Sequence, residues 1–232
     1  MSRALKYTLV TLLVLGSLAF VLVYGLYFKG ARDISPAWGA TTATYPDAAR
    51  VALWRWYGGE GLPQADPMSP PEYAWRSYHA RRGQMEGRPG DSGLNTATGA
   101  ARRAEMAREG GGMGGYHLMQ FAAAIQASGW SAESQLDTVL EQQVFGAGAR
   151  GFRAGALRVF GTPVESLDTA QLWVLLAIAH GPGYFDPWCH RDRLHEFAVK
   201  RAEQRNARLA PAAIDAALDS VAPAPPGHAC KS

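Results

Sequence analysis

The longest unbroken apolar stretch is Thr8–Tyr27, TLVTLLVLGSLAFVLVYGLY, which contains no charged residue. At 1.5 Å rise per residue a helix of that length covers about 30 Å, the thickness of a bilayer's hydrocarbon core. The pattern predicts a transmembrane helix over residues 8–28. Arg3, Lys6 and the α-amine precede it, whereas Lys29, Arg32 and Asp33 follow. The positive excess on the N-terminal side predicts residues 1–7 in the cytoplasm and the remainder outside it. Tyr24, Tyr27 and Phe28 stand where an interfacial aromatic belt would lie. A cleaved signal peptide would carry only ~7–15 apolar residues before a small-x-small site. Here the run is longer and Tyr27-Phe28-Lys29 follows it, which favours a retained anchor.

Beyond the span, apolar positions recur at helical spacing. Residues 29–45 read as a linker, with the Gly-, Pro- and Thr-rich stretch Ala31–Tyr45 lacking periodicity. Helices are predicted over Pro46–Trp56, Glu72–Arg82, Ala97–Arg108, Tyr116–Ser128 and a segment capped by Ser131. Further helices are predicted after the glycine-spaced turn Gly146–Gly155, and over Thr169–His180, Arg193–Leu209 and Pro211–Ser220. Thr169–His180, TAQLWVLLAIAH, is apolar nearly all round, which predicts a helix in the middle of a core. Tyr57–Pro71 and Gly83–Gly93 read as loops from their Gly and Pro content. The last residues, APAPPGHACKS, make 211–232 a short helix and a flexible tail. No stretch alternates as a half-buried strand would, so the fold class is all-α.

Charge changes this picture little. The formal net charge is +3 and the arginines are scattered singly or in pairs. A block of basic residues fit for nucleic acid is absent from the sequence, while mild basicity suits a domain close to anionic headgroups. Only two cysteines occur, Cys189 and Cys230. Outside the cytoplasm such a pair can form a disulfide, and two independent thiols are the other reading. His79, His117, His180, His190, His195 and His228 include no i, i+4 pair, so neither a metal centre nor a cofactor is expected.

Phe145–Pro187, FGAGARGFRAGALRVFGTPVESLDTAQLWVLLAIAHGPGYFDP, carries a more specific signal. Five features follow in order: F-G-x-G-x-x-G, a small-residue helix, F-G-x-P, L-x-x-A-x-x-x-L-L-A, and a closing Y-x-D-P. The stretch resembles the end of the peptidoglycan glycosyltransferase domain of glycosyltransferase family 51, which polymerises lipid II outside the cytoplasmic membrane. Upstream, Trp130–Glu141 falls on that family's [YLW]-S-K-x-x-I-L-E-x-Y-L-N stretch, Gly90–Ala97 on its G-G-S-T-x-T-Q-Q loop, and Pro46–Pro67 on its P-x-x-L-R-x-A-x-I-A-x-E-D region. The resemblance implies a lysozyme-like transglycosylase domain over 46–210, behind one anchor in the inner membrane and facing the periplasm. It also implies membrane lipid as a partner, together with lipid II, peptidoglycan or cell-wall synthesis proteins.

The departures bear on chemistry. Family catalysis rests on two glutamates: a base for the acceptor hydroxyl, and a second that assists loss of pyrophosphate. Proton transfer of that kind is worth ~10²–10⁴ in rate. The first falls here on Arg55 or Trp56 and the second on Met119 or Gln120, with Gly115-Tyr116 in place of the Arg-Lys pair before it. Met and Trp take no proton, and Arg is no base at physiological pH. Glu60, between glycines and four or five residues beyond the first position, is the substitute acid to consider, against the plain reading of an exposed loop carboxylate. Asp137 replaces the glutamate of I-L-E, a supporting residue. The Gln-Gln pair has become Thr96-Ala97, whereas a basic pair survives as Lys200-Arg201, followed by Arg205 and Arg208. These residues are candidate ligand-binding positions, or else the wet face of an amphipathic helix. The expectation is a degenerate, non-catalytic homologue that binds precursor or partner; an active divergent polymerase of lipid II is the alternative.

Overall fold

The computed structural model describes residues 3–85, 91–102, 104, 113–146 and 148–230. Among them it is all-α: ten α-helices, one 3-10 turn and no strand beyond the isolated bridge Val144–Arg150. The helices are α1 (Arg3–Arg32), α2 (Asp47–Trp56), α3 (Pro70–Met85), α4 (Ser92–Ala101), α5 (Met113–Ser128), α6 (Ala132–Gln142), α7 (Phe152–Phe160), α8 (Thr169–His180), α9 (Arg191–Gln204) and α10 (Pro211–Asp219).

α1 is 30 residues long, and its most apolar window is wholly unburied by the domain. By length and composition it can cross a membrane. The helix does not stop at the predicted end of the span. It runs on to Arg32 and packs against α5, with Gly30 so close that a Cβ would overlap the Leu118 carbonyl. Residues 33–46 form no regular element, yet they lie on the domain. Thr41 N–H donates to Thr138 Oγ1 at 3.0 Å, Trp38 packs on Trp130 at 5.0 Å, and the buried Tyr45 hydroxyl donates to Glu141 at 2.6 Å.

α8 is the hub, as its uniformly apolar sequence requires. Leu172 to Ile178 are all buried, and α2, α7, α9 and α10 surround it. Asp168 and Gln171 form a reciprocal capping box at its start, satisfying two N–H groups that would otherwise lack partners. The F-G-x-G-x-x-G turn has a plain physical basis. Gly146, Gly148 and Gly151 all have positive φ (73°, 83° and 85°), a region costly for residues with a Cβ. The turn reverses the chain so that Gly151 N–H donates to the Gln143 carbonyl at 2.8 Å.

α4 begins five residues before the predicted helix. Asp91 caps it, accepting from Leu94 N–H at 3.0 Å, and this start was hidden in a glycine-rich stretch. Arg76 of α3 clamps Asp91 at 2.6 and 2.7 Å and Asp66 at 2.5 Å. Burial alone would raise the Asp91 carboxyl, but Arg76 and the N–H groups of Leu94 and Gly93 outweigh it and hold it low. The remainder of the predicted Gly83–Gly93 loop (86–90) and of the predicted 97–108 helix (103 and 105–108) lies outside the described residues.

The tail, expected to be flexible, makes specific contacts. Ala222 N–H donates to the Val159 carbonyl at 2.8 Å, Trp188 Nε1 donates to the Ala222 carbonyl at 2.8 Å, and Cys189 is disulfide-bonded to Cys230 with Cα atoms 5.5 Å apart. The apolar segment VAPAP gave no helical or strand signal, so these tertiary contacts had no local sequence signature.

Candidate functional site

Arg55 or Trp56 and Met119 or Gln120, where the resemblance would place the family's two glutamates, occupy different environments. α2 ends with Arg55 pointing to solvent and Trp56 buried. Trp56 packs edge-on to Trp173 (5.0 Å between centroids) and Phe197 (6.0 Å). Met119 is fully buried against Ala101, Ala104, Ala123 and Ala124, and Gln120 donates to the Ala104 carbonyl at 3.3 Å. Met119 is therefore a core residue, and Gln120 is spent on backbone.

An open groove of about 870 Å³ lies between the loop after α2 and the turn after α9. Arg55, Glu60, Glu203, Arg205, Asn206 and Arg208 line it. Asn206 and Arg208 both adopt positive φ (49° and 52°), an uncommon backbone for residues with side chains and one that clusters at binding sites. The Glu60 carbonyl accepts from Trp54 Nε1 at 3.2 Å, so the Gly58–Gly61 loop is tied to α2. The side chains of Glu60 and Glu203 are exposed on the groove wall.

Beside the groove sits a set of cations without carboxylate partners among the described residues. Arg201 lies over Trp56, and the buried Nε atoms of Arg201 and Arg205 have no hydrogen-bond partner there. Burial, reinforced by the charge of Arg205, pushes the Arg201 guanidinium down to about 10. Burial lowers Arg205 as well. His180, at the end of α8, is lowered by burial and then by repulsion from Arg201 and Arg102. Burial raises the Tyr57 phenol, against the pull of Arg102 and Arg201. A desolvated positive cluster of this kind favours an anion, because a negative charge would relieve both the burial penalty and the mutual repulsion. Lys200, by contrast, is exposed on α9.

Asp137 lies elsewhere. It is buried, and Arg50 grips it with two hydrogen bonds of 2.8 Å, while Arg50 also contacts Asp47. That geometry joins α2 to α6. Thr96 and Ala97 are buried within α4, the Thr96 hydroxyl donating to the Ser92 carbonyl at 2.7 Å. They project no donors to a ligand.

Comparison with known proteins gives two partial similarities. Residues 117–210 match the sequence profile of the transglycosylase family. A 127-residue stretch is 31% identical to penicillin-binding protein 1A of Mycolicibacterium smegmatis, covering 53% of this chain and 16% of that protein. The present chain thus corresponds to a small part of that relative. The transglycosylase match includes the Met119–Gln120 position, the glycine turn, the α8 hub and the Lys200-Arg201 pair.

The sequence marks Arg201 and Arg205 as a basic stripe but gives no sign of Arg102, Tyr57 or His180 as their neighbours. Arg102 and Tyr57 directly follow α4 and α2, His180 closes α8, and no local spacing signals their convergence. The structure also brings together Asp186, Cys189 and His228, whose ligand atoms lie within 4.8 Å of one another. Their 39-residue reach from Cys189 to His228 gave no recognisable metal-site spacing.

Proposed function

We propose that this protein is an anchored, extracytoplasmic transglycosylase-like protein that holds an anionic cell-wall precursor, or a synthesis partner carrying one, without polymerising it. The observation that carries this reading is the replacement at both glutamate positions. Trp56 and Met119 are buried in apolar surroundings, and the neighbouring Arg55 and Gln120 supply no base. Retention of the Arg201–Arg205 cluster supports binding of a phosphate-bearing ligand, for which Arg is well suited. The Thr8–Tyr27 stretch and the charges before it support an N-terminus in the cytoplasm and a domain on the periplasmic side. A reporter fused after Ser232 should then be active outside the cytoplasm, and cytoplasmic activity would contradict that orientation.

A second reading, an active divergent polymerase, has one specific observation in its favour: Glu60 and Glu203 line the same groove as Arg55 and Arg205. Incubation of the purified, anchored protein with lipid II separates the two. Retention of lipid II without polymer supports the first reading, and glycan chains support the second.

A further inference from the structure

On the face that carries the C-terminal tail, Asp186, Cys189, His228 and Cys230 are brought together by the turn after α8 and by the returning chain. We infer that these four residues form a site for a divalent cation of the zinc class, open to the ion when the Cys189–Cys230 bond is reduced.

Three features support it. First, the donor set is two thiolates, an imidazole and a carboxylate, a combination that suits tetrahedral zinc. Second, the two distances from the imidazole fit. His228 Nε2 lies 3.1 Å from Asp186 Oδ2 and 3.4 Å from Cys189 Sγ. With ordinary zinc–ligand bond lengths, the corresponding edges of a tetrahedron are about 3.3 and 3.5 Å. Third, the ligands are oriented in advance. Asp186 Oδ1 accepts from the N–H groups of Trp188 (3.0 Å) and Cys189 (3.2 Å), which leaves Oδ2 facing the imidazole. Trp188 packs edge-on to the His228 ring at 4.9 Å. The carboxylate and imidazole side chains are only 16% and 14% exposed. Such outer support is typical of metal ligands.

The tail does not depend on the disulfide alone. The Ala222 bonds to Val159 and Trp188 hold its start against the domain, so reduction leaves His228 and Cys230 close by. A groove of about 340 Å³ lined by Trp188, Cys189 and Arg191 leads to the sulfur. In the reducing step a dithiol gives two electrons and two protons to the Cys189–Cys230 sulfurs and itself becomes a disulfide. Binding the cation then releases both thiol protons, and the sulfurs separate by side-chain rotation to about 3.8 Å.

The test uses the full chain in detergent, reduced by a phosphine, which takes oxygen from water and does not compete as a dithiol would. After anaerobic desalting it is titrated with Co²⁺ and then Zn²⁺. Reduced protein should take one Co²⁺ with thiolate-to-metal charge-transfer and strong tetrahedral d–d absorption, both abolished by Zn²⁺. The oxidised protein should show neither. Asp186→Asn and His228→Gln should each weaken binding by at least about tenfold, since even outer partners of metal ligands are worth ~10–100-fold. Unchanged far-UV helicity will show that both variants are folded. Equal binding by oxidised and reduced protein, or wild-type affinity in both variants, would overturn the site.

Discussion

The Arg201 guanidinium sits over the ring of Trp56, 5.2 Å from its centroid, and donates to the Trp56 backbone carbonyl at 3.4 Å. A cation thus packs on an aromatic ring at one of the two positions, Arg55 or Trp56, where the family resemblance would place its first glutamate. Such contacts are worth ~0.5–2 kcal/mol, and this one orders Arg201 without neutralising it. The neighbouring Arg205 adds to the unbalanced field.

That imbalance gives the first prediction. Inorganic pyrophosphate should raise the melting temperature of the wild type above that in sodium chloride of equal ionic strength. At a hundredfold excess over Kd the gain is about 2.7 kcal/mol. Arg201→Gln should lose most of it. An equal response from both proteins would remove Arg201 from the anion site.

Much of the fold was legible in the residues. The α8 hub could be read because every face of TAQLWVLLAIAH is apolar, and the Ser131 cap because its hydroxyl has a helix start to serve. The glycine turn was recognisable as a motif, with its reason, three positive φ values, visible only in three dimensions. The α4 start is masked in the sequence because Asp91, which caps it, lies among glycines. Of the site, Arg201 and Arg205 were legible as a stripe on one helix, while Arg102, Tyr57 and His180 join them only through tertiary packing. Asp137 could be named as a candidate carboxylate, but its partner Arg50 is 87 residues away.

Arg50 and Asp137 form the buried tie between α2 and α6, with side chains 15% and 6% exposed. Arg50→Ala strands a buried carboxylate and should cost ~3–5 kcal/mol, read as a lower urea midpoint with the slope unchanged. A loss below about 0.5 kcal/mol, the range of ordinary surface changes, would contradict a structural role for Asp137.

His180 makes stability depend on pH. Burial and the charges of Arg201 and Arg102 hold it below the ordinary imidazole value, so the unfolded chain takes up the proton at a higher pH than the folded one. The stability from neutral His180 is complete above about pH 6.5 and declines as pH falls through that value toward the folded pKa. Urea midpoints at about pH 7.5 and about pH 5.5 should therefore differ more in the wild type than in His180→Gln. An identical pH response in the two proteins would show that His180 is not the group responsible.

Loss of one proton-transferring group at the upper end of general acid–base effects raises the barrier by ~5 kcal/mol, and loss of two leaves only positioning and electrostatics. The most direct measurement is lipid II polymerisation by the purified, anchored protein, resolved on a gel beside Glu60→Gln and Glu203→Gln. No glycan chains above background are expected from any of the three, with lipid II still bound by the wild type. Robust chains from the wild type that disappear in Glu60→Gln would contradict this expectation and install Glu60 as the base.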